Sequence, residues 1–177
     1  LVKKTGIDLN GEGEGIIFPL SKVGNVELAT TAFGQGVSVT PIQQVTAVSA
    51  VVNGGYLYTP YVVKSISEKE TGTVLKEYNK TLQRKVISSQ TSSIMRNALE
   101  SVVAKGGGKA AYIEGYRVGG KTGTAQKVKD GRYMVGNYIM SFMSVVPSND
   151  PEAVLYLAID NPKNTALLSS YTTTPIA

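Results

Sequence analysis

Between Tyr116 and Asp160 the chain holds three apolar, β-branched stretches set apart by turn signals, and this pattern constrains the fold more than any other. The stretches are 116–127, 136–146 and 153–160, joined near Asp130-Gly131 and at Pro147-Ser-Asn-Asp-Pro151. Connections this short cannot cross over a sheet, so they predict an antiparallel meander. The residues before it have helical spacing. Thr40-Pro-Ile-Gln43 has the spacing of a capping box with proline at the first helical position, and it predicts a helix with Ile42, Val45, Val48 and Val52 on one face. Asn53-Gly54-Gly55 ends it. A second helix is predicted from Ser89 to Lys105, with Ile94, Met95, Ala98, Leu99, Val102 and Val103 on a wide apolar face and Gly106-Gly-Gly108 as its stop.

Smaller signals complete an α+β pattern of an antiparallel β-sheet with flanking helices. A short helix is predicted over 26–33, ending at Gly34-Gln-Gly36, and two strands over 61–67 and 73–78, turning through Glu70-Thr-Gly72. Thr174-Pro175-Ile176 repeats the helix-start signal at the end of the chain. The opening Leu-Val-Lys-Lys-Thr-Gly reads as a cut inside a longer polypeptide.

Composition removes whole classes of chemistry. There is no histidine and no cysteine among the 177 residues. Ser-His-Asp and Cys-His catalysis are excluded within this chain, as are zinc sites built from those residues. No metal site or cofactor is expected, and proton transfer falls to Lys, Asp, Glu or Tyr. A net charge of +5 is spread over scattered basic residues without an aromatic-rich stripe, which argues against nucleic acid. No apolar run approaches the ~20 residues that span a bilayer.

The chemistry concentrates in Lys121-Thr-Gly-Thr-Ala-Gln126. An ammonium, two hydroxyls and a glycine lie within four consecutive residues, a grouping suited to an anion or a developing oxyanion. Gly115-Tyr-Arg-Val-Gly-Gly-Lys-Thr122 also satisfies the phosphate-loop pattern G-x-x-x-x-G-K-[ST], which would make the protein a P-loop NTPase. A phosphate loop needs a strand before its glycines and a helix directly after Lys-Thr. Gly123 to Gly131 makes a poor helix, and a strand is predicted instead. Alternation then sends Lys121 and Gly123 to one face, and Thr122 and Thr124 to the other.

Lys121-Thr-Gly123 is the K-T-G triplet of penicillin-binding proteins and class A β-lactamases. With Gly6-Ile-Asp-Leu-Asn-Gly-Glu12, Ala32-Phe-Gly-Gln-Gly36, Ser38-Val-Thr-Pro41 with Gln43, Asn53-Gly-Gly55 and Ile159-Asp-Asn-Pro162, it makes a collinear set over essentially the whole chain. By these motifs the sequence resembles the C-terminal part of the transpeptidase domain of class B penicillin-binding proteins, which act in division, elongation and sporulation. The resemblance implies a partial penicillin-binding-protein transpeptidase or serine β-lactamase-like fold, with residues 1–177 as the C-terminal portion of one domain. It implies D,D-transpeptidation by serine acyl transfer, cross-linking peptidoglycan stem peptides that end in D-Ala-D-Ala, with β-lactams as mimics of that end.

Carried onto this sequence, the resemblance makes Lys121 a source of positive potential in the cleft and gives Thr122 and Thr124 to the substrate carboxylate. It makes the Thr124 N–H half of an oxyanion hole, and Gly123 the residue that keeps the strand open. Lys121 and Thr124 are thus the catalytic candidates, and Thr122, Gly123 and Thr124 the substrate-binding ones. The family's nucleophile motif S-x-x-K and its S-x-N motif are not in the sequence, Ser93-Ile-Met-Arg96 being the nearest. The expectation is a fragment inactive alone, from a parent on the extracytoplasmic face of the cell membrane. That parent would be anchored by an N-terminal segment and would meet other cell-wall synthesis proteins. A non-catalytic module of the same fold, binding wall or protein partners, is the alternative.

Overall fold

In the computed structural model, residues 3–163 and 172–177 are described. They form two compact units, Leu1–Val51 with Gly55–Ile87, and Val52–Gly54 with Ser88–Ala177.

In the first unit, helix α1 spans Asn25–Ala32, and the Glu27 carboxylate accepts from the Gly24 N–H at 2.9 Å to hold its first turn. Helix α2 spans Pro41–Val52 and is closed by the expected capping box. Thr40 N–H donates to Gln43 Oε1 at 2.9 Å, and Gln43 N–H donates to Thr40 Oγ1 at 3.3 Å. The valine spacing predicts the buried residues only in part, at Val52. Gln43, Ala50 and Val52 lie deepest, while Ile42, Val45 and Val48 are half-buried. A glutamine can sit there because its amide is occupied, with Nε2 donating to the Lys3 carbonyl at 3.0 Å.

Four short strands follow. Strand β1 (Tyr56–Thr59) pairs antiparallel with β4 (Thr81–Lys85), and the expected hairpin of β2 (Ser65–Ser67) and β3 (Val74–Glu77) lies between them in sequence. The β1–β4 pair has no local sequence signal, since its strands are short and distant along the chain. Gly55 is held there by geometry. Its φ is +96°, and an added Cβ would lie 2.0 Å from the Ile87 carbonyl oxygen, so no other residue fits. The motif Gly6–Glu12 is a backbone-binding device. Asp8 accepts from the N–H groups of Val62 and Val63 at 2.9 and 2.8 Å, and Glu12 accepts from the Thr5 hydroxyl at 2.6 Å and the Gly6 N–H at 3.1 Å. Three lysines that look scattered in sequence stack over tyrosine rings: Lys76 on Tyr78, Lys80 on Tyr58 and Lys85 on Tyr56, 4.2–5.0 Å from the ring centres.

In the second unit, helix α3 spans Ser89–Lys105, the predicted bounds, with Ser88 Oγ accepting the Thr91 N–H at 3.0 Å and Gly106 as the stop. Its buried positions are Ser92 and Val103, whereas Ile94 and Met95 are exposed, so only part of the expected apolar face is covered. Ser92 is buried because its hydroxyl accepts the Gly54 N–H at 3.0 Å. Arg96 donates to the Val52 carbonyl at 3.0 Å, satisfying the end of α2.

The meander is built as predicted. Strands β5 (Gly119–Lys129), β6 (Arg132–Val146) and β7 (Ala153–Asp160) form a three-stranded antiparallel sheet in that order. Asp130 and Gly131 both have positive φ, 52° and 75°, which is the two-residue turn that matches the twist of a hairpin. Val103, Val118 and the fully buried Phe142 form the core that joins α3 to the sheet. At the end of the chain, the N–H groups of Ile176 and Ala177 both donate to the Thr173 carbonyl at 3.2 Å, closing a turn that begins one residue before the expected helix start.

Candidate active site

Lys121 to Thr124 lie in the first half of β5, which among the described residues is an edge strand of its sheet. The pairing with β6 runs unbroken from Gly119↔Val145 to Gln126↔Tyr138. Lys121 and Gly123 therefore share a face with Met143 and Ser141, and Thr122 and Thr124 share the other with Phe142 and Met140, as alternation predicts. No helix follows Lys121-Thr122. The anion cradle of a phosphate loop is not built, and the NTPase reading is withdrawn.

The Lys121 ammonium curls along its own strand, donating to the Thr122 carbonyl at 2.8 Å and to the Thr122 hydroxyl at 3.4 Å. Among the described residues no ion pair neutralises it. It sets a positive charge beside a hydroxyl on an exposed edge, an arrangement that attracts a carboxylate or a developing oxyanion. Gly123 lies against β6 so closely that a Cβ would sit 2.5 Å from Ser141 Oγ. An edge strand also offers main-chain groups to an extended ligand. No cluster of acidic side chains able to hold a metal ion occurs among the described residues.

What holds the start of this strand is not legible in the sequence. Gly119 and Gly120 are both buried. A Cβ at Gly120 would meet Phe142 Cζ at 2.4 Å and the Met143 carbonyl oxygen at 2.7 Å, and one at Gly119 would press on α3 at Leu99 and Glu100. Beside them, Glu100 accepts from Arg117 Nε at 3.0 Å and Nη2 at 2.8 Å, and from the buried Ser148 hydroxyl at 2.5 Å. Ser148 N–H also donates to the Arg117 carbonyl at 2.8 Å. The bonds from Arg117 and then Ser148 hold the Glu100 carboxyl below its ordinary value. The clamp ties α3, the residue pair before β5 and the β6–β7 connection together, so the K-T-G strand enters the sheet at a fixed height. Its members lie 17 and 48 residues apart, beyond any local pattern.

The penicillin-binding-protein transpeptidase domain family matches residues 1–177, the whole chain. The chain belongs to the penicillin-binding-protein transpeptidase family. Within it the class B members are the relatives. The chain is 59% identical over 174 residues to stage V sporulation protein D of Bacillus subtilis, covering 98% of this chain and 27% of that protein. It is 33% identical over 165 residues to the peptidoglycan D,D-transpeptidase FtsI of Escherichia coli, covering 92% of this chain and 26% of the relative. The chain thus spans about a quarter of the length of these relatives. In three dimensions it is similar to penicillin-binding protein 3 of Mycobacterium tuberculosis, with a TM-score of 0.88 and 28% identity over 99% of this chain and 41% of that one. Crystal structures of that protein include complexes with aztreonam and with ampicillin.

Proposed function

We propose that residues 1–177 are the C-terminal portion of a single transpeptidase domain and supply the K-T-G strand of a peptidoglycan D,D-transpeptidase, without its nucleophile. The observation that carries this reading is a family match over the whole chain with Lys121-Thr-Gly-Thr124 on an edge strand. In the parent protein a serine attacks the penultimate D-Ala carbonyl and D-Ala leaves. An amine of a neighbouring stem peptide then takes the acyl group.

Thr122 and Thr124 bind the terminal carboxylate of the stem peptide, or its equivalent in a β-lactam. Lys121 supplies positive potential and supports the proton network of the cleft. The Thr124 N–H donates to the oxyanion, an interaction worth roughly 10²–10³ in rate where such a donor has been removed elsewhere. Gly123 lets the substrate backbone approach. No cofactor enters this chemistry. The parent works at the extracytoplasmic face of the membrane, in contact with other wall-synthesis proteins.

The test uses labelled penicillin. Residues 1–177 alone should take up no covalent label, whereas the full-length protein should be labelled at a serine upstream of Leu1. Thr122→Val in the full-length protein should slow labelling at least tenfold, because the carboxylate loses a hydroxyl partner. Stoichiometric labelling of the 177-residue chain, or unchanged labelling in Thr122→Val, refutes these assignments. A second reading, a non-catalytic module of the same fold, is favoured by the lack of S-x-x-K in the chain. Coding sequence upstream of Leu1 decides between them, an S-x-x-K there supporting the enzyme.

A further inference from the structure

The first unit contains a cavity of about 290 Å³, at the small end of the ~300–1,000 Å³ range of small-molecule sites. None of its lining residues belongs to β5. Its apolar surface comes from Ala47 and Ala50 on α2, Leu57 on β1, and Val86. Three further lining groups are polar and uncommitted. The Thr46 hydroxyl oxygen is buried and has no hydrogen-bond partner among the described residues. Lys3 and Arg84 also line the cavity, both exposed, and neither makes an ion pair among the described residues. The Gln43 amide, by contrast, is taken up by Thr40 and Lys3.

A buried hydroxyl without a partner is uncommon in folded proteins because the lost hydrogen bond to water is not replaced. Here that oxygen is closed off from the cavity, whose lining carries two cations and no carboxylate. An apolar chamber with donors of one kind complements a ligand that is apolar over most of its length and anionic at one end. We propose that this cavity binds a small amphipathic carboxylate. Its hydrocarbon body rests on Ala47, Ala50, Leu57 and Val86, and its carboxylate accepts from Arg84 and Lys3. Arginine can engage such a carboxylate through two parallel N–H donors. A neutral ligand of the same shape leaves both cations without a partner, so the site discriminates by charge.

Calorimetric titration of the full-length protein with sodium octanoate and, separately, with octan-1-ol tests this. Saturable one-to-one binding of octanoate is expected, at least tenfold tighter than that of octanol. Arg84→Gln is a surface change and should leave the melting temperature unaltered while weakening octanoate binding at least tenfold and octanol binding little. Thr46→Val preserves shape and removes the orphaned hydroxyl. It should raise the melting temperature of the unliganded protein and leave octanoate binding unchanged. Selective weakening in Arg84→Gln supports the site. No saturable octanoate binding, equal binding of the alcohol, or octanoate affinity unchanged in Arg84→Gln overturns it.

Discussion

Gly120 and Gly123 lie on one strand three residues apart, yet a methyl group added to each meets different surroundings. At Gly120 it strikes the fully buried ring of Phe142 and the Met143 backbone carbonyl, neither of which can move without displacing the core or the sheet. Gly120→Ala should destabilise the protein by roughly 1–3 kcal/mol, the usual cost of overpacking. At Gly123 the nearest atom is the Ser141 hydroxyl, which can rotate away. Gly123→Ala should therefore cost less than ~1 kcal/mol in stability. If Gly123 keeps the strand open to substrate, the same change should reduce penicillin labelling of the full-length protein. Thermal unfolding of both variants beside labelling rates separates the two roles; equal loss of stability at both positions would contradict the distinction. Both glycines are visible in the sequence as part of a motif, but only the atoms opposite them tell packing from access.

At the scale of elements, single side chains fix helix ends and the entry to β5. Gln43→Leu keeps the apolar volume but leaves the Thr40 N–H and the Lys3 carbonyl without their partner. A loss of roughly 1–3 kcal/mol is expected by denaturant unfolding, compared with well under ~1 kcal/mol for a solvent-facing glutamine such as Gln90. The Glu100 clamp makes a pH-dependent contribution. Its carboxyl is depressed in the folded state by Arg117 and Ser148. The stability it confers is complete above the ordinary glutamate value near ~4.3 and is lost as pH falls through the lower folded value. Glu12, depressed by the Thr5 hydroxyl, titrates in the same direction. Asp8 does too, since the Val62 and Val63 N–H groups outweigh the desolvation that opposes them. Melting temperature should thus fall as pH drops from about 5 towards 3, and Glu100→Gln should flatten that fall without abolishing it. An unchanged slope in the variant would remove Glu100 from the set. Helix boundaries were readable because caps act over three or four residues, as at Thr40 and Ser88. The buried faces were readable only in part: Val52 and Val103 lie where the spacing puts them, but Gln43 and Ser92 are buried through partners the helix itself does not contain.

Over the whole molecule, large apolar side chains remain in water on many described segments. Leu20 is 92% exposed, Val135 89%, and Val26, Leu28 and Phe33 on and beside α1 are 64–70% exposed. Exposed apolar area on this scale drives association. The isolated 177-residue chain should form dimers or larger species at micromolar concentration, weakening as salt is lowered. Sedimentation velocity checks this, and a single monomeric boundary across that range would refute it. Among the described residues no helix is long and apolar enough to cross a membrane.

The sequence by itself determined the α+β pattern, the three-stranded meander with its Asp130-Gly131 turn, the ends of α2 and α3, and the placement of Lys121 and Thr122 on opposite faces of one strand. These follow from caps, positive-φ turn residues and side-chain alternation, all acting over a few residues. Tertiary structure alone decided that β1 pairs with β4, that Gln43 and Ser92 are buried while Ile94 is not, that Gly120 is a packing residue, and that Glu100, Arg117 and Ser148 hold the start of β5. It also brought Thr46, Lys3 and Arg84 to one cavity. Those choices depend on groups distant along the chain, whose meeting is fixed by the cost of leaving buried polar atoms unpaired and buried space unfilled.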